Sequence, residues 1–554
     1  MAAVTLSRPA TSAVRPLPRL PGDELPEGAE PPRPRGGARL RSLLWLVPLL
    51  ALTGLVQGIN LTGAPQRFDD EGTYVAQAFA VGTYGDLAHY TYFYDHPPLG
   101  WLQMAGWTQL TAGFSRYEEA VTAGREFMLV CTLVAAGLLW LLARRLEMSR
   151  PAAAAAVAIF ALSPLAVQFH RSVYLDNIAT PWLLAAFVLA LPRREQLAGY
   201  AGAAAAFGVA VLTKETYLLF LPFLAWQMWR GAHPSTRRYV LPVAGTVFVL
   251  VGSVYVLMAA LKHELLPSAG RTSLWDGVWF QLVDRPGSGW LADTSSAAYA
   301  TVGIWWRLDP LLIVAALLAA RFALHVRHLL PLAAAFLTLV AFMFRPGYLP
   351  VPYVVPLIPL AALLVPGTVE AFLGRALRSA RPHARRFGLT AVATVAAAGV
   401  GFAGASWQAP LDALLTTDQD RPMRQAQEWL EEHADRDDRL IVDDAMWVDL
   451  VRAGFDRAGV VWYYKVDTDP SVVGRAPDGW SDYDYVVVTE SMRRLLGDAP
   501  VLDDAIRHAS TVVAFGTGTG MVEVLEVAVV DPDVATGAAG PATAATATAS
   551  SAVP

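Results

Sequence analysis

Lysine and cysteine are scarce in this chain of 554 residues. It has three lysines, Lys214, Lys262 and Lys465, and one cysteine, Cys131. A single cysteine excludes an intramolecular disulfide, so cysteine usage does not indicate the redox compartment. Because arginine supplies nearly all of the positive charge, a lysine within an apolar segment, as at Lys214, indicates a position that favours a compact ammonium group.

The chain also lacks a strong net charge and the polar composition of a soluble protein. Its formal net charge of −5 argues against a nucleic-acid partner. Hydrophobic residues make up 54% of the sequence, and the mean hydropathy is +0.38. Many apolar runs approach the ~20 residues that span a bilayer, so the composition predicts an α-helical polytopic protein surrounded by membrane lipids. No cluster of histidine, cysteine and acidic residues has metal-site spacing, so neither a metal nor another cofactor is predicted.

About eleven apolar runs are predicted to span the membrane, which makes residues 43–409 the transmembrane domain. They lie at residues 43–60, 124–143, 152–168, 177–191, 198–212, 216–229, 239–261, 309–324, 328–344, 350–366 and 387–406. Two interrupted stretches, 72–83 and 99–113, fit amphipathic helices on the membrane surface better than spans. Residues 1–42, rich in proline and arginine, are predicted to be a disordered cytoplasmic tail.

The arginines predict the orientation of these spans. With the N-terminal tail inside, every loop with clustered arginines falls on the cytoplasmic face. The opposite face receives the loops 61–123 and 262–308 and the turns near residues 170–176, 214–215 and 345–350. An odd number of spans then places the active site and the C-terminal region outside the cytoplasm of a multi-pass cell-membrane protein.

Residues 410–530 are predicted to form a small extracytoplasmic α/β domain. Charged residues become more frequent there, and the apolar runs shorten. The pattern predicts a helix at 421–433 and strands at 460–464, 485–489, 510–515 and 521–527. Residues 531–554, mostly small and polar, are predicted to be a second disordered tail.

Two runs in the first outer loop carry acids. Asp69, Asp70 and Glu71 are consecutive, and three carboxylates beside a hydrocarbon layer are costly unless they face water or do chemistry. A carboxylate in this aromatic surrounding can act as general base towards a hydroxyl. Asp95 precedes His96 and two prolines, which restrict the backbone and can present that carboxylate. The alternatives are an acidic loop that solvates the end of the first span and a plain rigid turn.

Cations follow at the ends of later spans on the same face. Arg171 and Asp176 fit either an anion site with its orienting partner or an ion pair that stabilises a turn. Lys214 fits either a phosphate contact or a lysine that reaches to the headgroups. Arg345 and Tyr353, beside a proline-rich span, fit either a phosphate site at a cavity or an interfacial anchor.

Together these motifs resemble the protein O-mannosyltransferase superfamily over residues 40–400. The shared motifs are the Asp70-Glu71 pair, the run Asp95–Gly100, the junction from Arg171 to Asp176, and Lys214. That group comprises polyprenyl-phosphate-sugar-dependent glycosyltransferases with the multispan C-type fold, among them the aminoarabinose transferases of lipid A. The resemblance implies that Asp70 is the catalytic base and that Lys214 lies near the lipid phosphate. Trp101 stands where the mannosyltransferases usually have lysine, which weakens the case for a protein acceptor.

The residues and the resemblance therefore predict one function. It is the inverting transfer of a sugar, mannose or another hexose or pentose, from a polyprenyl phosphate to an extracytoplasmic hydroxyl on a protein, lipid or glycan. Asp70, Glu71 and Asp95 are the candidate catalytic residues, and Lys214, Arg171 and Arg345 the candidate phosphate ligands. Asp69, His96, Asp176 and Tyr353 would support them. A transporter or lipid-sugar flippase is the alternative, but no repeat is visible and the polar residues sit at one end of the spans. A third hypothesis is that the chain is a non-catalytic assembly protein.

Overall fold

The computed structural model describes residues 36–68, 70–88, 94, 96–191, 197–268 and 272–528. Asp69, Asp95, the predicted C-terminal tail from residue 531 and residues 1–35 of the predicted N-terminal tail lie outside the described residues. The chain divides into two units between Trp45 and Leu46, inside the first helix, and the architecture below is that of the unit that begins at Leu46.

Helices dominate the chain up to residue 416. They are α1 (Gly36–Gly58), α2 (Glu71–Tyr84), α3 (Leu99–Leu110), α4 (Gly113–Arg116), α5 (Ala120–Arg145), α6 (Arg150–Leu162), α7 (Pro164–Arg171), α8 (Leu175–Leu189), α9 (Leu197–Thr213), α10 (Leu221–Gly231), α11 (Arg237–Leu261), α12 (Leu274–Trp279), α13 (Ala297–Leu308), α14 (Pro310–Ala323), α15 (Leu330–Phe342), α16 (Leu357–Leu377) and α17 (Pro382–Thr416). Short 3₁₀ helices at Glu215–Phe220 and Val351–Val354 lead into α10 and α16, and a π-helical turn at Phe280–Asp284 follows α12.

Each predicted span coincides with helical structure, and the polytopic helical class is confirmed. In the described ranges, five helices are long and apolar enough to cross a membrane, or seven if two bent pairs each count as one span. The bends are 60° between α6 and α7 and 99° between α13 and α14. Pro164 and Pro310 each begin the second helix of a pair, because proline lacks the N–H that a continuous helix needs. Three shorter apolar helices, α8, α9 and α15, complete the set, and the total of about eleven spans stays a prediction.

The helix predicted at 72–83 is present, and its position at the membrane surface stays a prediction. Nine of the fourteen residues of α2 are buried. The helix packs against α3 and α5 on one side and against the C-terminal domain on the other. Its apolar residues therefore fill the protein interior, and its first turn lies where the two parts of the chain meet.

The C-terminal domain is a five-stranded mixed sheet with helices. Its strands are β1 (Leu440–Val442), β2 (Val460–Trp462), β3 (Tyr485–Val488), β4 (Ala509–Phe515) and β5 (Val522–Val527), and its helices are α18 (Arg421–His433), α19 (Asp444–Arg452), α20 (Pro470–Val473), α21 (Glu490–Arg493) and α22 (Pro500–Arg507). The strand order is β2-β1-β3-β5-β4. β1 runs parallel to β2 and β3, and β5 runs antiparallel to β3 and β4. The small α/β domain is thus confirmed, although α17 continues past the predicted boundary at residue 410.

A buried ion network joins this domain to the segments that flank α2–α4. The guanidinium of Arg67 contacts the carboxylates of Asp420 and Glu119, and its side chain is 1% exposed. Close by, Asp449 accepts a hydrogen bond of 2.9 Å from the backbone N–H of Ala120. Removing one member of such a buried pair typically costs about 3–5 kcal/mol. The C-terminal domain is therefore held firmly against the loop that carries the acidic motif.

Candidate functional site

Asp70 occupies the N-cap position of α2, yet its carboxylate makes no capping hydrogen bond. The Tyr74 hydroxyl, one helical turn later, donates to Asp70 Oδ2 over 3.1 Å. An aspartate at this position ordinarily binds the free N–H groups of the first turn. Within the described residues the Asp70 carboxylate accepts this one hydrogen bond, so it has remaining acceptor capacity for a substrate hydroxyl.

Glu71, the next residue, is fully buried in an ion pair. Its two oxygens accept from Arg125 Nε over 2.8 Å and from Arg125 Nη2 over 3.0 Å. Oε1 also accepts from the backbone N–H of Val173 over 3.0 Å. Glu71 and Arg125 are 0% and 1% exposed. These hydrogen bonds hold α2, α5 and the turn after α7 together, so the geometry of Glu71 supports a structural role and not the predicted catalytic one.

Lys214 lies in a compact polar cluster with His96 and Glu215. Lys214 Nζ is 2.9 Å from His96 Nε2, and His96 Nδ1 is 3.1 Å from Glu215 Oε2. Lys214 and His96 are both 5% exposed. The chain breaks from α9 into the 3₁₀ helix at this point, and the backbone of Lys214 is extended, which turns its side chain out of the helical run. The break explains how an ammonium reaches this cluster from an apolar segment.

Asp176 and Tyr353 meet Lys214 at a small cavity. Its walls include Asp176, Lys214, Tyr217 and Tyr353, together with prolines 350 and 356. The Tyr353 hydroxyl donates to the Leu339 carbonyl over 3.0 Å. The structure thus unites three residues that are widely separated in sequence, and it places Asp176 beside Lys214 instead of Arg171.

Arg171 lies elsewhere, and both of its terminal guanidinium nitrogens donate to backbone carbonyls. Nη1 donates to the Leu414 carbonyl over 2.9 Å and approaches that of Ala64 at 3.4 Å, while Nη2 donates to Val56. Arg171 is 1% exposed. These bonds satisfy carbonyls near the C-terminal ends of α1 and α17, which lack partners within their own helices. The predicted pairing of Arg171 with a donor phosphate and with Asp176 has no support in this geometry.

Arg345 is exposed in the turn before α16. Its Nη1 and Nη2 lie 3.4 Å from the carbonyls of Pro346 and Tyr348. Its position is close enough to the cavity for its charge to act on Tyr353. Arg345 therefore remains a candidate phosphate ligand, because its exposed side chain is free to turn towards the cavity.

Tyr74 links the acid and the cation cluster. Its hydroxyl donates to Asp70, while its ring centroid lies 6.0 Å from that of His96, which contacts Lys214. Trp101, in the position where the mannosyltransferases usually have lysine, stacks on the same tyrosine with ring centroids 6.5 Å apart. The site therefore offers a carboxylate at one end and a buried ammonium at the other, with aromatic side chains between them.

Sequence reasoning missed several of these residues. The pairing of Glu215 with His96 depends on two distant segments meeting, so the local pattern does not indicate it. Tyr74 has a usable signal, since it follows Asp70 by four residues, the spacing at which helical side chains touch. Arg125 lies within the predicted span 124–143, and the local pattern does not indicate its pairing with Glu71. Among the described residues, no group of three or more histidine, cysteine or acidic side chains could hold a metal ion.

Comparisons with known proteins bear on the fold and on the family that the chain resembles. The family model described as dolichyl-phosphate-mannose-protein mannosyltransferase matches residues 95–258. No curated protein matches the chain. The crystal structure of ArnT from Cupriavidus metallidurans bound to undecaprenyl phosphate is similar, with 15% identity over 87% of this chain and 98% of that one and a TM-score of 0.56. The oligosaccharyltransferase AglB from Archaeoglobus fulgidus, in complex with an inhibitory peptide and a dolichol-phosphate, has 11% identity over 88% of this chain and 74% of that one, with a TM-score of 0.50. The predicted multispan fold is confirmed.

Proposed function

We propose that this chain, a multispan C-type glycosyltransferase with a lipid-phosphate sugar donor, transfers a hexose or pentose with inversion from a polyprenyl phosphate to an acceptor hydroxyl. One observation carries the proposal. The buried ammonium of Lys214, held against His96, lies on the same site as the Asp70 carboxylate. A single-displacement transfer needs these two groups, one for each end of the reaction.

Asp70 is the base in this proposal. The acceptor oxygen attacks the anomeric carbon, its proton passes to the Asp70 carboxylate, and the bond between the sugar and the phosphate oxygen breaks. The hydrogen bond from Tyr74 orients that carboxylate without consuming all of its acceptor sites. No covalent intermediate on the protein is required, and one displacement inverts the anomeric configuration.

Lys214 and His96 hold the departing phosphate. A buried ammonium stabilises the negative charge that grows on the leaving oxygen, and it does so more strongly than an exposed one. Glu215 orients His96 from its other ring nitrogen, 3.1 Å away. Asp176 and Tyr353 line the cavity beside Lys214, and Arg345 lies close enough to add charge at its edge.

The matched proteins support a polyprenyl-phosphate donor. The similar ArnT structure holds undecaprenyl phosphate, and the AglB structure holds dolichol-phosphate with a peptide. The description of the matching family names a mannose donor and a protein acceptor. Mannose is therefore the first donor sugar to test, with protein, lipid and glycan hydroxyls as the acceptor classes. The arginine-rich loops favour a site on the extracytoplasmic face.

The test is transfer from labelled polyprenyl-phosphate mannose by the purified full-length protein in lipid vesicles. We expect release of polyprenyl phosphate and label on an added membrane acceptor fraction. Asp70→Asn should lower the rate by about 10²–10⁴-fold while donor binding persists. Asp86→Asn is the matched control, since Asp86 is an exposed acid of the same loop and should leave the rate unchanged.

Two outcomes would overturn the proposal. Near-normal turnover by Asp70→Asn would remove the base assignment. Movement of the intact donor across the vesicle membrane without sugar release would favour a flippase instead.

A further inference from the structure

The first turn of α2 touches the C-terminal domain backbone to backbone. A Cβ atom placed on Gly72 would lie 2.1 Å from the backbone nitrogen of Ala445 and 2.3 Å from the carbonyl carbon of Asp444. Such an approach excludes any side chain at Gly72. The N-terminal ends of α2 and α19 therefore abut, and both ends carry the partial positive charge of a helix N-terminus.

Asp444 of the C-terminal domain accepts a hydrogen bond from a free backbone N–H in the first turn of α2. Its Oδ2 accepts from the backbone N–H of Thr73 over 2.7 Å and also from the Thr73 hydroxyl. The Tyr464 hydroxyl lies 2.6 Å from that same Thr73 oxygen. These bonds are the ones that a capping side chain within the helix would make. The cap of α2 comes instead from a residue 371 positions away.

This arrangement leaves Asp70 available. Asp70 occupies the position from which an aspartate normally caps its own helix, yet it makes no capping bond. If Asp444 were absent, the unsatisfied N–H groups of the first turn would attract the Asp70 carboxylate, which occupies the N-cap position. A capping role would draw that carboxylate away from Tyr74 and from an acceptor hydroxyl.

Asp444 is itself held by its neighbour Asp443. Burial, and next the negative charge of Asp443, raise the pKa of Asp444 well above its usual range. Asp443 in turn accepts from the Thr489 hydroxyl over 3.0 Å and from the backbone N–H of Ala445 over 3.2 Å. A protonated Asp444 can donate to Asp443 and still accept from Thr73. Asparagine has the same donor and acceptor pattern, which makes Asp444→Asn a close mimic.

We propose that Asp444 is a positioning residue for the transferase site, which caps α2 from the C-terminal domain and so keeps the Asp70 carboxylate free to act as base. The proposal rests on the proposed function for its kinetic consequence. It gives the C-terminal domain a direct part in the catalytic geometry, separate from any contact that this domain makes with an acceptor.

Domain docking by itself does not account for this cap. The domain has other contacts with the same loop, among them the Arg67 network and the hydrogen bond of 3.0 Å from Arg452 to the Glu118 carbonyl. These contacts are made by Arg67, Arg452 and the segment 117–120, and not by Asp444 or Thr73. The domain should therefore remain docked when the Asp444 side chain is removed.

The test compares Asp444→Ala, Asp444→Asn and the control Arg452→Ala in the full-length protein. We expect Asp444→Ala to lower kcat by about 10²-fold with the KM for the donor unchanged, because a displaced base impairs the chemical step and not donor binding. Asp444→Asn should retain most of the wild-type kcat. Arg452→Ala should behave like the wild type, since it removes a docking contact that does not touch the cap.

Hydrogen exchange across residues 70–77 provides a readout independent of turnover. Asp444→Ala should speed exchange in this segment, and Asp444→Asn should not. Thr73→Val removes the hydroxyl bond to Asp444 and keeps the backbone one, so it should lower kcat by less than Asp444→Ala, and it serves as the test if Asp444→Ala does not fold. Unchanged exchange in Asp444→Ala, or a donor KM effect without a kcat effect, would overturn the positioning role.

The two proposals fail differently. If Asp70→Asn retains turnover, the base assignment falls, and the exchange data still decide whether Asp444 caps α2. If Asp70→Asn is inactive while Asp444→Ala has wild-type kcat and exchange, the base assignment survives and the positioning role does not.

Discussion

Replacing Glu71 tests whether two adjacent acids have different tasks. Glu71→Ala removes the carboxylate that pairs with Arg125 and accepts from the backbone of Val173, a loss of three hydrogen bonds of 2.8–3.0 Å. Arg125 would keep its bonds to the carbonyls of Leu61 and Pro65 but lose its counter-charge at 1% exposure. Leaving one buried charge uncompensated typically costs about 3–5 kcal/mol. We therefore expect a large fall in the free energy of unfolding, with loss of activity as a consequence.

The assay is unfolding in detergent, monitored by tryptophan fluorescence, of the purified wild type and four variants. Asp70→Asn should unfold like the wild type while losing transfer, because within the described part of the chain the Asp70 carboxylate accepts one hydrogen bond, from Tyr74. The double variant Glu71→Leu/Arg125→Met should be more stable than Glu71→Leu alone, because it removes the unpaired charge. Wild-type stability with lost transfer in Glu71→Ala would refute the reasoning and make Glu71 catalytic.

Three further predictions concern the cation, the interdomain acids and the orientation. Lys214→Ala should weaken the apparent donor affinity by about 10- to 100-fold, which is the contribution of a hydrogen bond to a charged group. Lys214→Arg should recover only part of this affinity, and an unchanged donor KM in Lys214→Ala would contradict the phosphate role. Burial raises the pKa of Asp449 to about 6, against the opposing charge of Arg67, so its contribution to stability is present below pH ~4 and lost as the pH rises through ~6. The Tm of the wild type should therefore fall over this window relative to that of Asp449→Asn, and parallel pH curves would show that Asp449 does not titrate there. A reporter active only outside the cytoplasm, fused after residue 530, should work, whereas activity of a cytoplasmic reporter there would reverse the orientation.

Local pattern was sufficient for the elements of this fold. The long apolar runs of a chain that is 54% hydrophobic became helices, because a backbone in hydrocarbon must satisfy its hydrogen bonds within the segment. The strands at Val460, Tyr485, Ala509 and Val522 also appeared close to their predicted positions. In both cases the signal lies within about twenty residues, which is the range over which periodicity and β-branched runs act.

The candidate residues could be identified from the sequence, but the role of each one could not. Asp70 and Glu71 are neighbours with the same functional group. Only the structure shows that Glu71 forms an ion pair with Arg125, whereas Asp70 accepts a hydrogen bond from Tyr74. Arg171 had the residue type of a phosphate ligand, yet three backbone carbonyls occupy it. A carboxylate or guanidinium takes its role from the partner that reaches it, and these partners come from other helices.

Sequence patterns alone predict a polytopic helical membrane protein with a C-terminal α/β domain, and they single out Asp70 and Lys214. How these residues are held depends on the three-dimensional packing, which places His96 and Glu215 around Lys214 and brings Asp444 to Thr73 from 371 residues away. Hydrophobic patterning is a local property of the chain, whereas a hydrogen bond between distant segments depends on how whole helices pack. The close approach at Gly72, which brings the C-terminal domain to the candidate base, is a consequence of that packing alone.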